Sequence, residues 1–318
     1  MDEQKRILVT GTKGLLGSAM KRVFDLNGQK SFFVDKTHGD LENSSDVKHI
    51  LNEFKPELIV HTAAVVGGIQ YNMEKPEELR DRNRSINQHI LNYAFELKVN
   101  KTISFLSTCI FPEDAPEPWD ESMIHLGEPD KRQWGYAVAK RELDLLSKQL
   151  NAKSNNQSKF LTMMPSSMYG LNDNFDPNKS HVIPSVISKI FNAKKTGEPP
   201  VFWGSGNPRR EFLLSDDMAR AVFWALGSYE SEESLIVSPL DDTSVKEVVI
   251  YVSKYLDYSG EIKWDREKPD GRFTRRTSNK KFLSLIKSFS FTPFEEGIKS
   301  ACQFFVENFP QIRGLKNR

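Results

Sequence analysis

Two side chains able to trade a proton stand one helical turn apart in Tyr136-Ala-Val-Ala-Lys140. On a helix that spacing puts the phenol and the ammonium on one face. A lysine beside a tyrosine favours the phenolate, which would lower its pKa and let Tyr136 exchange a proton near neutral pH. Upstream, Ser107 closes a strand-like run, with Thr108 beside it, where a hydroxyl can steady a carbonyl oxygen. Serine, tyrosine and lysine in this order are the equipment of a carbonyl reductase, in which a nicotinamide delivers hydride and Tyr136 supplies the proton. Cys109 follows Ser107 by two residues, so an extended segment would send both side chains to one side. Simple reduction has no need of a thiol. It would suit proton transfer at a carbon next to a carbonyl, although a small buried cysteine also fills space well. His181, in Asn178-Lys-Ser-His-Val-Ile-Pro184 at a helix entrance, can titrate near neutral pH, and a role as an acid depends on a partner.

These residues need a frame. Arg6–Thr10 reads as a buried strand and runs into Gly11-Thr-Lys-Gly14-Leu-Leu-Gly17, which opens a helix. Glycines here allow a tight turn and close approach of backbone to a pyrophosphate, which the helix N-terminus faces with free N–H groups. The spacing points to short-chain dehydrogenases. An acidic residue after the second strand grips a ribose 2′-hydroxyl, whereas a basic one accommodates a 2′-phosphate. Asp35 and Lys36 stand there together; Lys13 inside the loop tips the balance toward NADP(H), and Asp35 keeps NAD open.

Strands are expected at Ser31–Val34, Leu58–His61, Thr102–Leu106 and Lys159–Met164. Helices are expected at Leu15–Leu26, at Ser44–Phe54 with Ser44 or Ser45 as N-cap, over about Pro76–Lys98, and at Tyr136–Leu150. That alternation implies a parallel, doubly wound sheet. After Pro165 the chain turns loop-rich, then gives a helix at Val182–Ala193, a strand at Val201–Trp203, a helix at Asp216–Leu226, a strand at Leu235–Val237, and helices at Thr243–Leu256 and Thr292–Asn308. The fold class is α/β: a Rossmann doubly wound parallel sheet with a smaller α/β C-terminal substrate-binding lobe. The cofactor domain is expected over 1–168 plus about 212–238, and the lobe over about 169–211 plus 239–318.

Charge and apolar content are ordinary, with 38% hydrophobic residues, 27% charged residues and a formal net charge of +1, which speaks against a nucleic-acid or polybasic membrane partner. Two cysteines, Cys109 and Cys302, make no disulfide framework. The charged start has no signal-peptide character, and no apolar run reaches the roughly 20 residues of a membrane span. A soluble cytoplasmic protein is expected.

His61-Thr-Ala-Ala-Val-Val-Gly-Gly-Ile69, Ser107-Thr-Cys-Ile-Phe-Pro112, Gly135-Tyr-Ala-Val-Ala-Lys140, Asp173-Asn-Phe175, His181-Val-Ile-Pro184, Trp203-Gly-Ser-Gly206, Arg210-Glu-Phe212 and Lys268-Pro-Asp-Gly271 form an ordered series across nearly the whole chain. The series resembles that of the GDP-L-fucose synthase family, extended short-chain reductases that epimerise carbons 3 and 5 of GDP-4-keto-6-deoxy-D-mannose and reduce its 4-keto group. The resemblance implies that Cys109 and His181 are the acid–base pair at carbons 3 and 5. It implies that Tyr136, Lys140 and Ser107 complete the reduction with NADPH. The cofactor is expected against Gly11, Thr12, Lys13, Gly14, Leu15, Leu16, Gly17, Lys36, Asp40, Leu41, Ala63, Lys140, Pro165, Met168 and His181. Lys189, Trp203, Arg210 and Asp270 are expected to hold the nucleotide sugar, with cations on the diphosphate. A homodimer is also implied, through helices around Asn83–Glu96 and Tyr136–Leu150. The chain departs from the family's usual Pro-Thr-Asn at Pro165-Ser-Ser167, and from Gly-Pro-His-Asp-Asn-Phe at Gly170-Leu-Asn-Asp-Asn-Phe175. Where the family often has arginine in the glycine loop, Lys13 keeps the charge and loses the fork. Two other readings are a nucleotide-sugar 4-epimerase or 4-reductase, and a non-catalytic Rossmann sensor, whose Ser–Tyr–Lys set should be damaged.

Overall fold

In a computed structural model, residues 5–315 apart from Asn178 and Pro269 are described. The two omitted internal positions fall inside quoted motifs, and the charged stretch 1–4 also lies outside the described residues. In chain order the elements are β1 (Ile7–Thr10), α1 (Leu15–Leu26), β2 (Ser31–Val34), α2 (Ser44–Phe54), β3 (Leu58–His61), α3 (Ile69–Glu74), α4 (Pro76–Glu96), β4 (Lys101–Phe105), α5 (Trp134–Ser154), β5 (Lys159–Pro165) and β6 (Ser167–Tyr169). There follow α6 (Val182–Thr196), β7 (Val201–Trp203), β8 (Arg209–Arg210), β9 (Phe212–Leu214), α7 (Ser215–Ser228), β10 (Leu235–Val237), β11 (Thr243–Ser244), α8 (Val245–Tyr255), β12 (Lys263–Asp265), α9 (Lys280–Leu285) and α10 (Phe294–Asn308).

Six strands form one sheet in the order β10-β5-β4-β3-β1-β2, every neighbouring pair parallel. Such a sheet must bury both faces, and its strands are therefore apolar throughout. Ile7 and Val9 of β1 enter one core with α1 and α7, while Leu8 enters the other with α2, α4 and α5. The order reverses between β1 and β3, and a crevice at such a switch point, outside the carboxyl ends of the strands, is where ligands bind in folds of this kind. A third core gathers α6, α8 and α10 around Phe175, Phe202, Val248 and Phe305. Two small pairings, β6 with β9 and β12 with β7, link the regions in parallel fashion.

The doubly wound sheet expected from the sequence is present, with local differences that have physical causes. Asn43, rather than Ser44 or Ser45, caps α2, because its side chain reaches the amide of Ser45. Thr243–Ser244 forms a short strand against Arg209–Arg210, and Ser244 caps α8 in a reciprocal capping box with Glu247. The run after Ser107 is not extended. Thr108–Ile110 is a single 3-10 turn, capped by the Ser107 hydroxyl accepting from the Cys109 amide.

The segments flanking the pocket are tied down by a buried carboxylate. Glu211, only 2% exposed, accepts from the Thr277 amide and hydroxyl and from Ser238 Oγ, and so joins three stretches of chain. Burial pushes its pKa up to about 7, against the hydrogen bonds that pull it down. A folded-state pKa above the unfolded value gives stability that is complete below the unfolded pKa of 4.5 and is lost as pH rises through about 7. The full loss is on the order of 3 kcal/mol. Glu211→Gln should therefore flatten the fall in thermal midpoint between mildly acidic and mildly basic buffers. Parallel melting curves for the two proteins across that range would show that Glu211 does not titrate there.

Candidate active site

The carboxyl ends of β1, β3, β4 and β5 open on one crevice. Ser107 and Cys109 sit just beyond β4, and Tyr136 and Lys140 sit in the first turns of α5. Gly135 lets that end of α5 press against α4: a Cβ there would lie 1.8 Å from the Pro76 carbonyl oxygen. Arg141 then binds α5 to the Cys109 turn, donating to the carbonyls of Ile110 (Nε, 3.0 Å) and Gly127 (2.6 Å). The stacked pair Phe111–Trp119, with centroids 4.7 Å apart, packs beneath the same turn.

Cys109 is 1% exposed and Lys140 4%. Cys109 is hydrogen-bonded by Ser107 and feels the charge of Lys140, while Tyr136 and Lys140 each feel Cys109, so the four groups share one site. Lys140 Nζ lies 5.4 Å from the centre of the Tyr136 ring. The net shift of the Tyr136 phenol runs opposite to the one expected from the lysine alone. Burial pushes the phenol well above its ordinary value, and Cys109 adds to the rise. Lys140 itself is brought down to about 8 by burial, which weakens its hold on a phenolate. Tyr136 therefore rests as the protonated phenol, the form a proton donor requires.

Burial also raises the Cys109 thiol, while Ser107, Arg275 and Lys140 draw it down and Asp130 opposes them. Arg275 and Asp130 were not singled out from the sequence. Arg275 Nη2 donates to Asp130 Oδ2 at 2.6 Å, and the Asp130 amide donates to the Cys109 carbonyl at 3.3 Å. They lie far from Cys109 along the chain, and no motif marks them. His61, within the His-Thr-Ala-Ala motif, is another unassigned neighbour. It is held between Thr10 Oγ1 (2.9 Å) and Asn87 Oδ1 (3.1 Å), and burial, followed by the charge of Lys140, brings its pKa to about 3, so the imidazole is neutral.

His181 is exposed at the N-cap of α6, and among the described residues it has no hydrogen bond to Cys109. Asp173, 3% exposed and with Oδ2 unpartnered, lies within electrostatic reach of His181 and Arg313; burial raises its pKa. The Asn172 amide group donates to the Lys13 carbonyl at 3.3 Å, bringing this loop against the glycine loop.

The glycine loop has the shape of a dinucleotide cradle. A Cβ on Gly11, at φ +69°, would lie 2.7 Å from the Ala63 backbone, and one on Gly17 would lie 2.3 Å from the Gly11 carbonyl. Thr12 Oγ1 reaches the Val34 carbonyl at 3.3 Å, and Lys13 pairs with Asp35 at 2.8 Å. Gly14, Leu15, Leu16 and Gly17 open α1, and Leu16 belongs to its buried face. The Ala63 amide bonds Thr10 Oγ1, and Pro165 ends β5 beside Val237. Met168 lies in β6 against the first core, while Lys36 is exposed. Asp40 and Leu41 sit in the turn before α2, with the Asp40 carboxylate accepting from the Glu42 amide and the Leu41 carbonyl facing His89. Ser166, where the family often has a different residue, leaves its hydroxyl buried without a partner.

The four residues expected at the sugar nucleotide come from α6 (Lys189), β7 (Trp203), β8 (Arg210) and the loop after β12 (Asp270). Lys189 Nζ donates to the Val201 carbonyl at 2.8 Å and lies over Phe202. Trp203 is 62% exposed, with Lys268 above its ring. Asp270 accepts from the amide and hydroxyl of Ser205 at 2.8 and 2.6 Å. Arg210 Nη1 donates to the Arg272 carbonyl at 2.9 Å, and its pKa falls to about 10 through burial and the neighbouring arginines 275, 132 and 272, offset by Glu117. Cations crowded this way are poised for an anion of two or more charges. Among the described residues no cluster of metal-ligating side chains is present.

The family model for the NAD dependent epimerase/dehydratase family matches residues 7–237. A GDP-L-fucose synthase of Dictyostelium discoideum is 34% identical over 98% of each chain. A GDP-L-colitose synthase of Yersinia pseudotuberculosis is 31% identical over 95% of this chain and 98% of its own. A crystal structure of a GDP-L-fucose synthetase from Naegleria fowleri bound to NADP superposes with a TM-score of 0.94 at 34% identity, over 98% of this chain and 96% of the other.

Arg275→Met removes a cation that holds the Cys109 thiol down. Ultraviolet thiolate absorbance, read as a difference against Cys109→Ser, should move to higher pH in the variant. An unmoved titration would mean that Arg275 does not act on the thiol.

Proposed function

The chain belongs to the NAD dependent epimerase/dehydratase family and, within it, to the GDP-L-fucose synthases, and we propose that Cys109, His181, Tyr136 and Lys140 carry that enzyme's two half-reactions in one crevice. The protein epimerises carbons 3 and 5 of GDP-4-keto-6-deoxy-D-mannose and reduces the 4-keto group with NADPH, giving GDP-L-fucose. The observation that carries the assignment of roles is the buried thiol of Cys109 inside the Ser107–Tyr136–Lys140 set.

A 4-keto group withdraws electrons from both neighbouring carbons, so a proton leaves carbon 3 or 5 as an enolate whose charge rests on the carbonyl oxygen. Cys109 and His181 form the pair that removes this proton and returns one to the opposite face. Inversion requires the two groups to act on opposite faces of the sugar ring. Ser107 and Tyr136 steady the oxygen during both inversions. NADPH, when bound, supplies the hydride that ends the sequence. Tyr136 then gives its proton to the developing alkoxide, and Lys140 favours the phenolate left behind. Gly11, Thr12, Lys13, Gly14, Gly17 and Ala63 would hold the cofactor's pyrophosphate and ribose. Lys189, Trp203, Arg210 and Asp270, on the part of the chain read as the substrate lobe (about 169–211 and 239–318), would hold the GDP.

Among the described residues no helix is long and apolar enough to cross a membrane. A cytoplasmic setting is in keeping with the free thiols of Cys109 and Cys302. A homodimer through α4 and α5 is the arrangement the family implies, and Leu145 on α5, 47% exposed, is a position on that face to test. On that reading Leu145→Arg should give a monomer in sedimentation equilibrium, while an unchanged mass would place the interface elsewhere.

Cys109→Ser should abolish epimerisation, with a loss of about 10²-fold or more, and still bind NADPH. Unchanged turnover would remove the thiol from the reaction. Tyr136→Phe should cripple reduction yet leave exchange of the substrate's carbon-bound hydrogens with heavy water. Loss of that exchange would contradict separable half-reactions.

A further inference from the structure

β1 and β2 pair in parallel with Thr10 opposite Val34, so the glycine loop leaving β1 and the turn leaving β2 emerge side by side. Lys13 Nζ meets Asp35 Oδ2 there at 2.8 Å. The partners are not equally fixed. The Lys13 side chain is 75% exposed and that of Asp35 18%. Asp35 Oδ1 accepts from the Thr37 amide at 2.9 Å and the Thr37 hydroxyl at 2.5 Å, and lies 3.2 Å from His38 Nδ1. The carboxylate is thus built into its own turn, while the lysine can swing. Lys13, and then the bonds from Thr37, hold Asp35 well below the usual carboxylate range, so it is charged at any working pH.

This pair occupies the place where a dinucleotide's 2′ substituent is read in the fold. A 2′-phosphate needs Lys13, a point charge without arginine's fork, and must accept Asp35 as a fixed anion beside it. A free 2′-hydroxyl needs an acceptor, which Asp35 Oδ2 becomes once Lys13 turns away. We propose that Asp35 is a specificity-determining residue that lets this chain accept NADH as well as NADPH, by opposing the 2′-phosphate that Lys13 attracts. The proposal rests on the dinucleotide site alone and is independent of the roles given to Cys109 and His181.

Calorimetric titration of the cofactor-free protein with NADP⁺ and NAD⁺, without sugar, gives the ratio of the two dissociation constants. In the natural protein the ratio should favour NADP⁺ by less than about tenfold, which corresponds to about 1.4 kcal/mol. Asp35→Asn keeps an oxygen for Thr37 and removes the charge, and should widen that preference by roughly tenfold. Asp35→Ser, which changes the turn differently, should move it in the same direction, while Lys13→Ala should weaken NADP⁺ more than NAD⁺ and so narrow the preference. A preference that stays within about twofold of the natural protein's in both Asp35 variants would overturn the proposal.

Discussion

Removal of water from around a thiol and an ammonium, with a partly buried phenol beside them, is the constraint on which the rest of the site depends. A charge in such a place is costly unless another balances it, so each group's protonation is set by its neighbours rather than by solvent. Burial brings Lys140 to about 8 and raises Tyr136 and Cys109. The resting pocket therefore holds its protons on the phenol and the thiol. Arg275, tied to Asp130, supplies a cation at the back of the thiol and limits how far its pKa climbs. The same dryness makes a carbonyl oxygen sensitive to the Ser107 and Tyr136 hydroxyls, which is what enolate and alkoxide chemistry both require.

Holding such a pocket together takes contacts from distant parts of the chain. The parallel sheet brings the ends of β1, β3, β4 and β5 to one edge; Gly135 lets α5 close on α4, and Arg141 ties α5 to the turn that carries Cys109. The Trp119 amide and carbonyl pair with Arg276 and Ser278, so the same loop is bound to the segment that supplies Arg275. Glu211 anchors Thr277 on that segment. The parallel pair β6–β9 ties the segment that follows β5 to the segment that follows Arg210. Packing, more than any single bond, fixes the distance between the Ser107–Tyr136–Lys140 set and the segments that carry Lys189, Trp203, Arg210 and Asp270.

Most of the sheet was legible because its signals are local. Apolar runs such as Ile7–Thr10 and Leu58–His61 declare buried strands, and the glycines from Gly11 to Gly17 announce the turn that follows. The Tyr136–Lys140 pair is likewise contained in one helical turn. What the sequence did not disclose depends on long-range geometry. The 3-10 turn at Thr108–Ile110 arises from the Ser107 side chain capping its own backbone, which outweighs the extended conformation expected there. The direction of the Tyr136 shift depends on how many atoms surround the ring, a quantity that spacing does not carry. Asp130 and Arg275 reach the site from loops without motif, and Asp173, although it opens the Asp173-Asn-Phe175 motif, shows in sequence no sign of its nearness to His181; only the folded chain brings these groups together.

The central claim is that one carbonyl serves two inversions and one reduction within one pocket. It is tested most directly by incubating the purified protein with GDP-4-keto-6-deoxy-D-mannose and NADPH, following nicotinamide absorbance and identifying the sugar formed. The account predicts one NADPH consumed for each GDP-L-fucose produced. Consumption of NADPH with a D-sugar as product would leave a plain 4-reductase and contradict the roles given to Cys109 and His181.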